Sequence, residues 1–161
     1  LLGSDELDHS ILENAFVVYI GHHGDSSAQI ADVVLPSPAY TEKSSTYVNM
    51  EGRVLQSTRC YHPIGQAKEE WKIFRSLSKN IRGKLKFNTL EDLRKEICQN
   101  YPIFQLLNTI PKQKRLSFGE YKKITSRVLD YTISNFYMTD VISRASITMA
   151  KCTKEILNKV A

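Results

Sequence analysis

Residues 16–56, FVVYIGHHGDSSAQIADVVLPSPAYTEKSSTYVNMEGRVLQ, constrain the fold more than any other part of the chain, because strand propensity and turn chemistry alternate there at short intervals. Phe16 to Ile20 is a β-branched and aromatic run closed by Gly21, the pattern of a strand buried on both faces. Gly21 and Gly24 supply turn signals, and Asp25 and Ser26 are placed to cap a short helix through Ala31. A second buried strand is expected at Asp32 to Leu35, stopped by Pro36, which has no N–H to give a ladder and holds Leu35 extended. Strand, helix and strand within about twenty residues fall short of the roughly thirty of a full crossover unit. Either the helix is brief or the second strand lies at a sheet edge.

Downstream, Thr46, Tyr47 and Val48 face Arg53, Val54 and Leu55 across a turn at Asn49 to Gly52, which predicts a β-hairpin near residues 46–58 with Gly52 free to take positive φ. From there the pattern changes to a helical one. Ala67 to Ile81 brings Trp71, Phe74, Leu77, Ser78 and Ile81 onto one stripe, with Trp71 as anchor and Gly83 as stop. Thr89 and Asp92 form a capping-box pattern that opens a helix from Leu90 to about Asn100, before Pro102. Residues 103–118, with PKQKR, read as an exposed connector. In the last segment Val141, Ala145, Met149, Cys152, Ile156 and Val160 share a stripe, with Thr139 or Asp140 as cap and Arg144, Lys151, Lys154 and Lys159 on more polar faces. Such a helix packs on its own domain, docks on a neighbouring subunit or lies on a membrane surface.

Charge divides the chain. Residues 1–56 hold eight acids and only Lys43 and Arg53 as bases, whereas residues 57–161 hold twenty bases and nine acids, within a net charge of +5. A basic half suits an acidic protein face, an anionic surface or nucleic acid. The aromatic residues do not interleave with the bases in an RNA-binding pattern, and no helix-turn-helix or zinc-finger spacing occurs, so an acidic protein partner is the simpler expectation. With 161 residues and 42% hydrophobic content the chain is long enough for one ordinary domain. No apolar run approaches the roughly 18 residues of a membrane span.

The run IADVVLPSPAYTEKSSTYVNMEGRVLQ resembles the ADVVLP and E-K-x-x-T-x-x-N-x-E-G-R signature of the molybdopterin oxidoreductase superfamily. GHHGD before it, EEWKIFRSLS after it and FYMTDVISRASITMAKC near the end together resemble the C-terminal part of the largest iron-sulfur subunit of respiratory complex I, the NADH:ubiquinone oxidoreductase, in its mitochondrial and α-proteobacterial versions. The likeness runs from Leu1 to Leu77 and resumes from Asn135 to Cys152, while Ser78 to Ser134 is assigned by position. In that family a segment like LLGSDE lies deep in the subunit, which implies either a fragment or a subunit split between two polypeptides.

The resemblance implies an α/β fold in which residues 1–65 are the C-terminal portion of a molybdopterin-oxidoreductase-like domain, a partial sheet completing it, and residues 66–161 a mainly helical extension. It makes Asp32, Pro36, Glu42, Lys43, Asn49, Glu51, Gly52 and Arg53 the family-motif residues. Their alternative readings are a cofactor-facing polar rim and plain loop and hairpin hydrogen bonding, and the second is favoured because Ser45 stands where pterin enzymes usually have glycine. The family's iron-sulfur clusters are held near the N-terminus of the subunit. Cys60, Cys98 and Cys152 are too far apart in sequence to form a cluster or zinc motif and read as free thiols, small buried hydrophobes in a reducing compartment. His22, His23 and Asp25 are the one compact catalytic-looking set, yet further metal ligands would have to come from distant residues such as His9 or His62, and no nucleophile motif accompanies them. A structural loop is the expectation.

The expected function is a structural and assembly role in the electron-input arm of complex I, with no catalytic, cofactor or metal residue in this chain. Expected partners are the N-terminal part of the same subunit and other peripheral-arm subunits, with no nucleic acid and no transmembrane segment. The expected location is the matrix side of the mitochondrial inner membrane, or the cytoplasmic face of the inner membrane in a bacterium. The alternatives are a surviving molybdopterin-binding oxidoreductase domain and a basic adaptor or nucleic-acid-binding module.

Overall fold

The computed structural model describes the chain except residues 5, 6, 82, 84, 113–118, 121, 124, 125, 127, 129–132 and 158–161. It is a small α/β structure with two two-stranded sheets and several short helices. Val18–Gly21 (β1) and Val33–Pro36 (β2) form the first sheet. The Val17 carbonyl accepts the Val33 amide at 3.2 Å, and four residues on the Gly21 carbonyl accepts the Ser37 amide at 2.9 Å. Both strands therefore advance in the same direction, and the pairing is parallel. The link between them contains one turn of helix, Ser26–Gln29 (α1), capped by Asp25, whose Oδ1 accepts the Ala28 amide at 3.0 Å.

β1 is largely buried, as expected, but β2 is not, with Val34 51% exposed. The expectation of a second buried strand is thus corrected, and the sheet-edge alternative describes β2 better. Pro36 cannot donate to another strand, and its carbonyl already accepts the Lys68 amide at 3.1 Å. Little of that edge is left for pairing.

The chain divides into two compact units. The first comprises Leu1–Tyr19, His23–Val33 and Arg115–Ala161. Its buried residues include Val17, Tyr19 and Ser27. Its C-terminal helices are Val141–Ala145 (α4) and Ile147–Glu155 (α5), not the single helix that the apolar stripe predicts. Asp140 caps α4 through the Ile142 and Ser143 amides, and Ser146, with an extended ψ of 121°, breaks the helix and caps α5 through the Met149 amide at 3.4 Å. A cap's extended backbone cannot continue a helix, so the residues on either side do not form one stripe. The stripe's last residue, at position 160, lies outside the described residues.

The second unit comprises Ile20–His22 and Val34–Lys114. Its hairpin pairs Thr46–Val48 (β3) with Val54–Gln56 (β4) antiparallel, Thr46 opposite Gln56 and Val48 opposite Val54. Val54 is fully buried, and its carbonyl accepts the Asn108 amide at 2.9 Å. Two helices follow, Glu70–Ser78 (α2) and Leu90–Asn100 (α3). α3 begins with the expected capping box: Thr89 Oγ1 accepts the Asp92 amide and Asp92 Oδ2 accepts the Thr89 amide, both at 3.1 Å. α2 is shorter than the expected 67–81, and its stripe is divided. Trp71 is half-buried against Phe87 in an edge-on contact of 6.3 Å, and Ser78 is buried, whereas Phe74 and Leu77 are 40% and 47% exposed. Pro102–Gln105 form a 3-10 turn that runs into the expected connector at 103–118, of which residues 113–118 lie outside the described residues.

Candidate functional site

The loop after β1 holds the compact polar set. Tyr19 Oη donates to the His23 carbonyl and to Asp25 Oδ2, each at 3.2 Å, while the other Asp25 oxygen caps α1. Asp25 is thus occupied in holding its own loop. His9 Nε2 lies 3.2 Å from Oγ of the fully buried Ser27, a pairing across eighteen positions that no sequence signal announces. His62 lies on an exposed stretch. Among the described residues no three histidine, cysteine, aspartate or glutamate side chains are grouped to hold a metal ion. Cys60 is exposed and Cys98 and Cys152 are half-exposed, which corrects the expectation of small buried hydrophobes.

The family-motif residues are all engaged locally. Asp32 Oδ2 accepts the Val17 amide at 2.7 Å, and the Asp32 amide donates to the Val17 carbonyl at 2.9 Å. Pro36 ends β2 and takes the Lys68 amide on its carbonyl. Glu42 Oε2 accepts the Ala39 amide at 3.1 Å and so closes the 3-10 turn Tyr40–Glu42. Lys43 forms a salt bridge with Glu70, both side chains mostly covered. Asn49 Oδ1 accepts the amides of Glu51 and Arg53, both at 3.0 Å, and Arg53 Nη2 reaches Glu51 Oε2 at 3.4 Å. Gly52 sits at φ 78°, and a Cβ there would come 3.1 Å from Pro111 Cγ. Ser45 continues the hairpin ladder, its amide donating to Ser57 Oγ at 3.2 Å and its carbonyl accepting the Ser57 amide at 2.9 Å.

Several hollows lie in the second unit. One, of about 600 Å³, is lined by Leu35, Pro36, Gly65, Gln66, Lys68 and Ile73, at the carboxyl end of β2. Another, of about 330 Å³, opens beside Glu69, Trp71 and Lys72. Glu69 is buried at the start of α2, and sequence reasoning did not single it out. Burial pushes its carboxyl up, but the hydrogen bonds from Lys72 Nζ at 2.7 Å and Trp71 Nε1 at 3.1 Å outweigh that and hold it below the usual glutamate value. Lys72 also lies 5.2 Å from the Trp71 ring centre, within cation–π range. The cluster ties the first turn of α2 to its loop. Its one acid is fully engaged by a cation and an indole, an arrangement suited to holding structure.

Among the described residues, the cysteines and motif side chains named above form no ligand set for either implied group. An iron-sulfur cluster needs about four thiolates, and the three cysteines are not grouped. A pterin needs free polar groups converging on a cleft, and the motif's polar side chains are bonded to their own turns and strands or, for Lys43, to Glu70 of α2.

Residues 3–80 match the family model for molybdopterin oxidoreductase, and residues 111–152 match the model for the C-terminal part of the G subunit of NADH-ubiquinone oxidoreductase. Among curated proteins, the chain is 41% identical to the G subunit of the Rickettsia bellii NADH-quinone oxidoreductase over 96% of its length. It is 43% identical over 95% of its length to the NADH-ubiquinone oxidoreductase 75 kDa subunit of Reclinomonas americana, and 44% identical over 94% to the mitochondrial 78 kDa subunit of Candida albicans. The chain spans 23% of the length of each of these relatives.

Proposed function

We propose that this chain, which belongs to the family of the largest iron-sulfur subunit of respiratory complex I within the molybdopterin oxidoreductase superfamily, serves that subunit as a structural and assembly segment of the electron-input arm. The observation that carries this reading is the internal use of the motif: from Asp32 to Arg53 the side chains and turns that mark the superfamily bond to their own strands, turns and helix α2. Residues 1–65 complete the sheet of a molybdopterin-oxidoreductase-like domain, and residues 66–161 extend it. The chain itself holds no redox centre. The clusters belong to the N-terminal part of the subunit, which is its first partner, with other peripheral-arm subunits beyond it. Its location is the matrix side of the mitochondrial inner membrane, or the cytoplasmic face of the inner membrane in a bacterium. No helix among the described residues is long and apolar enough to cross a membrane.

One observation favours a second reading, a molybdopterin-binding domain: the hollow beside Leu35 and Pro36 opens at the carboxyl end of a parallel strand, where open α/β sheets bind their ligands. Affinity purification of the tagged chain from its own cells, with mass spectrometry and elemental analysis, separates the readings. Complex I peripheral-arm subunits without molybdenum support the structural role. A bound pterin with molybdenum, or nucleic acid as the main co-purified component, would overturn it.

A further inference from the structure

The expected apolar stripe of α2 is only half used. Trp71 and Ser78 turn toward Phe87 and the unit's interior, while Phe74 and Leu77 stand exposed on a common face, and Ile81, in the turn after the helix, is 58% exposed. Ile73, one turn before Leu77 on the same face, joins this ridge to the hollow at the end of β2, where Leu35 extends the apolar floor. A short helix does not keep such a ridge in water without cost, because each side chain left half-exposed forgoes part of the stabilisation that burial brings. Clustered apolar exposure of this kind marks a contact surface.

The charges beside the ridge indicate what covers it. Glu70, the acid of the first turn, is neutralised by Lys43. Lys68 at the hollow is exposed and has no carboxylate partner among the described residues, whereas Lys79, two positions past Leu77, lies across the helix from the ridge. The hollow end of the apolar strip is therefore positive. In addition, the relatives match nearly all of this chain yet are covered over only 23% of their own length, so most of the family subunit is sequence other than this.

We infer that the ridge of Ile73, Phe74, Leu77 and Ile81 seats an apolar segment with a carboxylate beside it, belonging to the part of the same subunit that these residues do not include. The inference rests on the structural reading proposed above and gives it a specific surface. Apolar side chains of that segment fill the hollow between Leu35 and Ile73, and an acid beside them meets Lys68.

The test uses the assembled complex. A photoreactive p-benzoylphenylalanine at position 77 is expected to crosslink, on illumination, to a peptide of the same subunit outside residues 1–161, one that carries an acidic residue beside apolar ones. Leu77→Asp and Phe74→Asp are expected to reduce recovery of the chain with the complex at least tenfold, and Lys68→Glu several-fold. Lys79→Asp, at an exposed position across α2 from Leu77, is expected to leave recovery unchanged. A crosslink to another subunit or to a second copy of this chain, no crosslink at all, or an equal loss from Lys79→Asp and Leu77→Asp would overturn the inference while leaving the structural role intact. If the unsubstituted chain were not recovered with complex I, the structural role would fail and the inference with it.

Discussion

Val17 and Asp32 close a ring of two hydrogen bonds, the Val17 amide on Asp32 Oδ2 and the Asp32 amide on the Val17 carbonyl. The ring sits where β1 and β2 begin, and so it sets their register. Asp32→Ala removes the acceptor of a buried amide, a loss worth about 1–3 kcal/mol. Amide hydrogen exchange at Val17 in the assembled protein is therefore expected to accelerate by roughly five- to hundredfold, whereas Asp32→Asn, which keeps an oxygen in place, accelerates it less. Unchanged protection in Asp32→Ala would show that the ring does not hold the strands.

Gly52 tests the hairpin in the same way. Its φ of 78° and the 3.1 Å approach of Pro111 Cγ both penalise a Cβ. Gly52→Ala is expected to destabilise the hairpin by about 1–2 kcal/mol. Gly24→Ala, where nothing lies within 4 Å of the added atom and φ is not positive, is expected to cost far less. Thermal inactivation or limited proteolysis of the assembled protein ranks the two. Equal effects would remove the special role of Gly52.

These features were legible because they are local. The Asp25 cap, the turn at Asn49 to Gly52 and the Thr89–Asp92 box each join residues at most four apart, and side-chain chemistry at that range needs no knowledge of the rest of the fold. Burial is different. Periodicity grouped Trp71, Phe74 and Leu77 on one stripe, but which edge of it turns inward was decided by Phe87, distant in sequence. Glu69 carried no sequence signal of burial, and only the indole and ammonium closing over it make it a buried acid. Ser146 had a readable signal, a serine placed to cap the amide three residues on, but the apolar stripe running across it was the more conspicuous pattern.

Glu69 also predicts an acid-side effect. Its carboxyl is held below the ordinary glutamate value of 4.5: burial alone would raise it, and the bonds from Lys72 and Trp71 more than reverse this. A depressed folded-state pKa contributes stability that is fully present above the unfolded value and is lost as pH falls through the folded one. Trp71 fluorescence is therefore expected to stay constant down to about pH 4.5 and then change as Glu69 takes up its proton. In Glu69→Gln that acid limb is expected to flatten. A transition of the same size in the variant would assign it to other groups.

Exposure supplies the last prediction. Among the described residues Val34, Leu77 and Phe74 are 51%, 47% and 40% exposed. Five hydrophobic residues are buried among those described, and Arg94 buries Nε and Nη2 with no acceptor. A guanidinium left so is costly unless a partner arrives. Residues 1–161 alone are therefore expected to unfold with a broad, weakly cooperative transition and poor amide dispersion in NMR, and to gain a sharp transition when co-expressed with the rest of the subunit. A monomer that folds cooperatively by itself would contradict the proposal that these residues complete a larger domain, because its core would then be sufficient without the surfaces that Val34, Phe74 and Leu77 leave open.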